Sequence, residues 1–399
     1  MEYHPIRPDE FDGYINVLSH VFTWDPKPEE VEVEKKHIEL DRTVGAFDDG
    51  RIVGTGANLT FEMTVPGGSL PAGGVTAIGV LPSHRRRGIL NEMMARLFDD
   101  SRSHGEPLSI LWASESSIYG RYGFGVATRH ASREIERIHA RLSGDAPPAV
   151  RIIDKDEALR QFPSVYETVR RRYPGMIRRT ERKWEIDLAD LEPWRDGATA
   201  NRFGLFEPDG VPQGYVRYRV KEKWENGQAR SELVVAELIA ITQDAYRDLW
   251  RYVFGIDLIE TIKARGRPVR EPLEHMLANP RRLTKSVTEG IWLRILDVER
   301  ALAGRRYSTE DRVVLEVTGP GDVAGRYLLE GGPDGATCRR TEAKPDLRLD
   351  IKALGMAYLG GHDFVTLAGA SMAEGDAETL RRADLMFGWH EPTWCVVGF

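Results

Sequence analysis

Val75-Thr76-Ala77-Ile78-Gly79-Val80-Leu81-Pro82-Ser83-His84-Arg85-Arg86-Arg87-Gly88-Ile89-Leu90 is the stretch on which the fold reading turns. Val75–Val80 is short and rich in β-branched and apolar residues, so it predicts a strand. Pro82 cannot donate to a ladder and ends it. From Gly88 onward Ile89, Met93, Leu97 and Phe98 recur at helical spacing. The chain therefore passes from a strand through a basic loop into a helix N-terminus. The first turn of a helix has unpaired N–H groups and about half a positive charge, which suits it to a diphosphate. As a solvated run, Arg85, Arg86 and Arg87 would be disfavoured at that positive end. Around an anion they are favoured, and Gly88 lets the backbone come close.

Working outward, helices are expected over Phe11–Phe22, Glu29–Leu40 and Gly88–His104, with strands at Thr43–Phe47, Arg51–Glu62, Gly74–Val80 and Leu108–Ala113. Residues 143–148 have linker composition. A second α/β unit follows, with helices over Asp156–Tyr173 and Arg179–Leu188. Strands come next at Arg202–Phe206, Gly214–Lys223 and Ser231–Ile241, then a helix at Asp244–Phe254. It repeats the strand-then-helix order of the first, but Thr242-Gln243-Asp244-Ala245-Tyr246 stands where a glycine-bearing loop would be. The composition shifts again near Thr284–Val287. Strands are expected at Trp292–Ile295, Arg312–Val317, Gly325–Glu330 and Leu347–Ile351, and helices at Ala353–Leu359 and Ala377–Leu385. The reading is an α/β chain of three domains, 1–143, 144–284 and 285–399.

Of 399 residues 41% are hydrophobic and 29% charged, a globular balance that argues against long disordered tracts. A net charge of −7 argues against nucleic-acid or anionic-membrane partners and suits a basic small molecule. Cys338 and Cys395 lack metal-ligand spacing and read as buried thiols, so no metal is expected. Without a basic-then-apolar leader or a spanning segment, a cytoplasmic protein is expected. The end Trp394-Cys395-Val396-Val397-Gly398-Phe399 is apolar where termini are usually polar, which implies that it docks.

The Arg85-x-x-Gly88 spacing after a strand resembles the Gln/Arg-x-x-Gly-x-Gly/Ala acetyl-CoA signature of the GCN5-related N-acetyltransferases (GNAT), with Leu90 in place of the last small residue. Val80–Leu90 together with Ala113-Ser114-Glu115 and Ile118-Tyr119-Gly120-Arg121-Tyr122-Gly123-Phe124 is similar, more specifically, to the enhanced intracellular survival (Eis) family, where that leucine is usual. Leu349-Asp350-Ile351, Leu354-Gly355 and Tyr358-Leu359-Gly360-Gly361 look like that family's sterol-carrier-like domain. The resemblance implies tandem GNAT-like domains, the second without a cofactor site, followed by a sterol-carrier-like α/β domain.

It also implies acetyl-CoA as co-substrate, bound by Ile78, Gly79, Val80, Arg85, Arg86, Arg87, Gly88, Ile89, Leu90, Asn91, Ser114 and Glu115. Tyr119 matches the family's general acid; its alternative is a packing tyrosine. The terminal carboxylate of Phe399 matches the general base; its alternative is a hydrophobic staple. Phe22 and Asp25 lie near the family's substrate pocket. Asp25, Glu29, Glu30, Glu32 and Glu34 either line an acidic mouth or form a solvated face. The implied activity is N-acetylation of a polycationic small molecule such as an aminoglycoside, by a homohexamer. Transfer to a polyamine or protein lysine, or a non-enzymatic lipid-binding scaffold, remain open.

Overall fold

A computed structural model describes residues 1–142 and 149–399; the expected linker at 143–148 lies outside the described residues. The first stretch carries β1 (Glu2–His4), α1 (Phe11–Phe22), α2 (Pro28–His37), β2 (Thr43–Asp48), β3 (Arg51–Val65) and β4 (Gly68–Val80). α3 (Ile89–Ser103), β5 (Leu108–Trp112), α4 (Ser116–Tyr119) and β6 (Gly125–Val126) follow. Then come β7 (Arg129–Glu136), β8 (Val150–Ile153), β9 (Arg202–Phe206), β10 (Gly214–Lys221), β11 (Trp224–Glu225) and β12 (Gln228–Ala229). β13 (Ser231–Ala240), β14 (Ile259–Arg267), β15 (Thr284–Glu289) and β16 (Ile291–Ile295) lead into β17 (Asp311–Thr318) and β18 (Gly325–Gly332). The last strands are β19 (Gly335–Arg340), β20 (Leu347–Asp350) and β21 (Ala373–Glu374).

These elements form two compact units, one of residues 1–128, 290–393 and 397–399, the other of 129–289 and 394–396. In the first, the main sheet runs β1-β2-β3-β4-β5-β16-β6. β4 and β5 pair in parallel and the other neighbours antiparallel. A second sheet of this unit runs β19-β18-β17-β20-β21. In the other unit the order is β15-β7-β14-β13-β10-β9-β8, with β13 and β14 parallel. Asn226 and Gly227 close the β11–β12 hairpin, both at positive φ as a two-residue hairpin turn requires.

Strand pairing crosses the expected borders near 143 and 284. The strand expected near Trp292 as the first of the third domain is β16, which joins the main sheet of the first unit between β5 and β6; β7 and β15 pair with each other in the second unit's sheet. Backbone runs tightly here: a Cβ on Gly125 would fall 2.3 Å from the Lys352 carbonyl oxygen, and one on Gly355 2.5 Å from that of Leu293. The helix Ile351–Ala357 thus lies directly against β6 and β16.

α3 is held by the stripe the sequence displays. Ile89, Met93, Met94, Leu97 and Phe98 are buried beneath it with Val44, Ala46, Val53 and Val75 from the sheet. At roughly 1.5–3 kcal/mol per large buried apolar side chain, this face outweighs any local helix preference.

Candidate active site

The site begins with a fault in β4. Ala57 lies opposite Thr76 while Thr55 lies opposite Gly79, so β4 has one extra residue over the same length of β3. Ala77 absorbs it at φ +53, and Thr55 Oγ1 donates to the Ala77 carbonyl at 3.0 Å. On its other edge β4 pairs with β5 only from Ala72–Leu108 to Gly74–Ile110. Beyond Gly74 the parallel strands part, leaving the backbone of Ile78, Gly79 and Val80 unpaired on the β5 side. A Cβ on Gly79 would sit 3.1 Å from Val21 on α1, so the glycine lets β4 and α1 lie close.

The chain then makes a short turn at Pro82–His84, and Arg86 takes φ +63 and Gly88 φ +79 before α3 begins. Gly88 has open space around it and supplies no side-chain cap. The first N–H groups of α3 are therefore left for an outside acceptor, and positive-φ residues beside them turn the backbone donors inward as an anion-binding concavity. In the other unit the corresponding helix, Gln243–Gly255, is closed by its own Thr242, whose Oγ1 accepts from Ala245 N at 3.2 Å. The arginines divide: Arg85 and Arg86 line the cleft, whereas Arg87 reaches the Ser83 carbonyl at 3.3 Å and Asp48 at 3.9 Å.

Ser114, Glu115 and α4 form the opposite wall. Tyr119 is only 5% exposed, with Phe124 edge-on at 6.1 Å between ring centroids. Burial pushes its phenol above the ordinary value, and a hydrogen bond with Ser114 acts the other way. Tyr122 joins the two walls, its hydroxyl donating to Asn91 Oδ1 at 2.7 Å. Between the walls is a cleft of about 800 Å³ lined by Ile78–Val80, Arg85, Arg86, Gly88–Asn91, Ser114, Glu115 and Tyr119, with Phe22 at its mouth. His84, Ile118, Arg121, Val21 and Thr23 also line it. Ile118 and Arg121 flank Tyr119 in its motif, and Val21 and Thr23 flank Phe22, so adjacency was their only signal.

Asp25 lies outside that lining, exposed and paired with Lys27 at 3.2 Å. Three of the four acids of α2 are occupied locally. Glu30 accepts from Lys27 N at 2.9 Å, Glu32 pairs with Lys35 at 2.9 Å, and Glu34 accepts from the Tyr14 hydroxyl at 3.4 Å. Phe399 is also outside the lining residues. Its ring packs on Phe61 at 4.8 Å and lies over Gly74, where β4 and β5 last pair. Two residues earlier the Val397 carbonyl accepts from Trp112 Nε1 at 3.0 Å.

Such a site, with a wedge of free backbone donors, an anion cradle at a helix start and a buried phenol, suits transfer from a phosphate-bearing carrier threaded between β4 and β5. The comparisons agree. Residues 2–127 and 175–295 each match an acetyltransferase (GNAT) domain family, and residues 298–396 a sterol carrier protein domain family. The chain is 36% identical to an uncharacterized N-acetyltransferase of Streptomyces coelicolor, covering 100% of both. It is 34% identical to N-acetyltransferase Eis of Mycobacterium tuberculosis over 98% of each chain. The crystal structure of Eis1 from Mycobacterium abscessus superimposes with a TM-score of 0.88 at 30% identity, covering 100% of both chains. With two GNAT domains and a sterol-carrier-like domain in that order, this chain belongs to the Eis family of GCN5-related N-acetyltransferases.

Proposed function

We propose that the chain moves an acetyl group from acetyl-CoA to amines of a polycationic small molecule such as an aminoglycoside, with Tyr119 as general acid and the α-carboxylate of Phe399 as general base. The observation that carries this reading is the split of β4 from β5, around which the cradle, Tyr119 and the docked C-terminus gather. Acetyl-CoA supplies the thioester. Its diphosphate is held by the backbone of Gly88–Asn91 with Arg85 and Arg86, and its arm by the free donors of Ile78–Val80, with Ser114 and Glu115 alongside. Arg87, turned toward Asp48, contributes charge at longer range.

The neutral amine attacks the thioester carbonyl, the C–N bond forms, the C–S bond breaks, and the departing thiolate takes its proton from the Tyr119 hydroxyl, which is reprotonated from solvent. A phenol of pKa ~10 is a weak acid toward a thiol of ~8.5, so its contribution is a hydrogen bond to sulfur as charge develops. The proton lost by the amine passes to the Phe399 carboxylate directly or through water. With an α-carboxyl pKa of ~3.5 against an amine of ~10, that group acts mainly by orienting the amine. A net charge of −7 supports a cationic acceptor. Phe22 offers that acceptor an apolar face at the cleft mouth; Asp25, exposed and paired with Lys27, enters the reading only through its charge at longer range. The same reading includes domain borders near 143 and 284, a homohexamer and a cytoplasmic setting, which limited proteolysis, light scattering and cell fractionation test.

The decisive assay is acetyl-CoA turnover across aminoglycosides, polyamines and lysine peptides, beside a variant lacking Phe399. Aminoglycoside turnover lost on truncation is the expected result. Full activity without Phe399 removes the carboxylate mechanism, preference for lysine peptides moves the acceptor to protein, and no turnover with any amine leaves a scaffold.

A further inference from the structure

Arg294 sits on β16, a strand that the proposed chemistry does not use. It is 3% exposed, and among the described residues no carboxylate pairs with it. Its Nη1 donates to the Tyr122 carbonyl and its Nη2 to the Pro320 carbonyl at 3.0 Å, while its guanidinium carbon lies 4.2 Å from the centre of the Phe98 ring. Nε finds no partner. Burial, reinforced by nearby Arg102, lowers the guanidinium to about 10, as expected for a cation without a counter-ion.

A buried, uncompensated cation is costly, and an apolar side chain of the same length would fill the space without that cost. Its contacts show what the charge does. The Tyr122 carbonyl belongs to the turn that directly follows Tyr119. Phe98 lies on α3, the helix whose first turn forms the cradle, and the hydroxyl of Tyr122 bonds Asn91 in that same first turn. One planar guanidinium thus touches both walls of the cleft, stacking on α3 and gripping the Tyr119 turn, with a third hold on the Pro320 loop. Gly123, at φ +82, lies beside the guanidinium: a Cβ there would meet Arg294 Nη1 at 3.4 Å, ordinary contact distance, and would crowd Ile351 at 2.8 Å.

We propose that Arg294 is a positioning residue for acetyl transfer, fixing the Tyr119 turn against α3 so that the phenol meets the departing sulfur; this rests on the reading of Tyr119 as general acid. A lysine supplies a point charge without the planar fork, and reproduces one of the three contacts at most. Because displacement of about 1 Å costs up to ~10²-fold in rate, loss of this grip lowers kcat while the backbone cradle still binds acetyl-CoA.

The test is a cycle of Arg294→Met and Tyr119→Phe, with kcat and the KM for acetyl-CoA measured for each variant and coenzyme binding by calorimetry as the folding control. Arg294→Met is expected to lower kcat about ten- to a hundredfold with KM within about twofold, and to have little further effect in the Tyr119→Phe background. Wild-type kcat in Arg294→Met, or a loss fully multiplicative with Tyr119→Phe, overturns the proposal. Should the methionine variant fail to bind coenzyme, Arg294→Lys takes its place in the cycle, with the same two outcomes deciding. Wild-type rates in Tyr119→Phe alone overturn the acid assignment, and with it this proposal, in a way distinct from the other two results.

Discussion

Tyr119 and Ser114 give the most direct test at the level of single residues. Burial holds the Tyr119 phenol protonated above the ordinary tyrosine range, and the Ser114 hydrogen bond, by favouring the ionised form, pulls it partly back. If the protonated phenol is required, kcat falls at high pH as it ionises, with a midpoint above about 10. Tyr119→Phe is expected to lower kcat about 10²-fold at neutral pH and to abolish that alkaline limb. Ser114→Ala removes the group that lowers the phenol, so the limb moves to higher pH. A limb that stays in place in Ser114→Ala, read from pH–rate profiles at saturating substrate, contradicts the coupling. The arginines offer a second contrast. Arg85→Ala is expected to raise the KM for acetyl-CoA by about tenfold, the cost of one charge-assisted contact, whereas Arg87→Ala changes it no more than about threefold because Arg87 is engaged with Asp48 and Ser83.

For the elements, the position that matters most is where β4 leaves β5. A Cβ on Gly74 would lie 2.4 Å from the Phe61 ring and 3.2 Å from that of Phe399, so Gly74→Ala must displace the aromatic pair that seats the C-terminus. It is expected to lower kcat severalfold with little change in acetyl-CoA binding, which steady-state kinetics with calorimetric binding separates. How much of this was legible follows from range. α3 and the loop before it were readable because a helical stripe and a Gly88 start are local signals, and the structure starts α3 at Ile89 within a residue of expectation. β4 was expected only from Gly74, whereas it runs from Gly68 through Pro71. Its pairing with β5 begins at Ala72, so Pro71 lies where the missing N–H has no partner to lose. The bulge at Ala77 left no mark, since nothing but the register of β3 reveals an extra residue. Likewise β16 reads as a strand, but only its partners β5 and β6 assign its sheet. Glu30, Glu32 and Glu34 read as part of a charge run and are spent on Lys27, Lys35 and Tyr14, which sequence spacing alone does not separate from an acidic mouth.

For the whole molecule, the question is what a second GNAT domain with a closed helix start is for, and its interior answers in terms of stability. Arg179 is buried, forks onto Glu237 at 3.0 and 2.6 Å, lies 3.3 Å from Asp187, and is sandwiched by Tyr166 and Trp184 at 4.3 and 4.5 Å. The Tyr215 hydroxyl also donates to Glu237. Burial alone would raise the Glu237 carboxyl, but the Arg179 charge outweighs it and holds the group below the ordinary glutamate value. A carboxyl depressed in the folded state stabilises fully above its unfolded pKa, near 4.3, and loses that contribution as pH falls through the lower folded value. The second unit is therefore expected to lose stability below about pH 4.5, and Glu237→Gln to flatten that part of the melting curve against pH. Arg179→Met leaves Glu237 charged and buried without its partner, at a cost of about 3–5 kcal/mol at neutral pH. Calorimetric melts from pH 3 to 8 check both. If the second unit binds no coenzyme, folded Glu237→Gln keeps the wild-type KM for acetyl-CoA at pH 7. A raised KM there would mean that the second unit takes part in binding the donor despite its capped helix start.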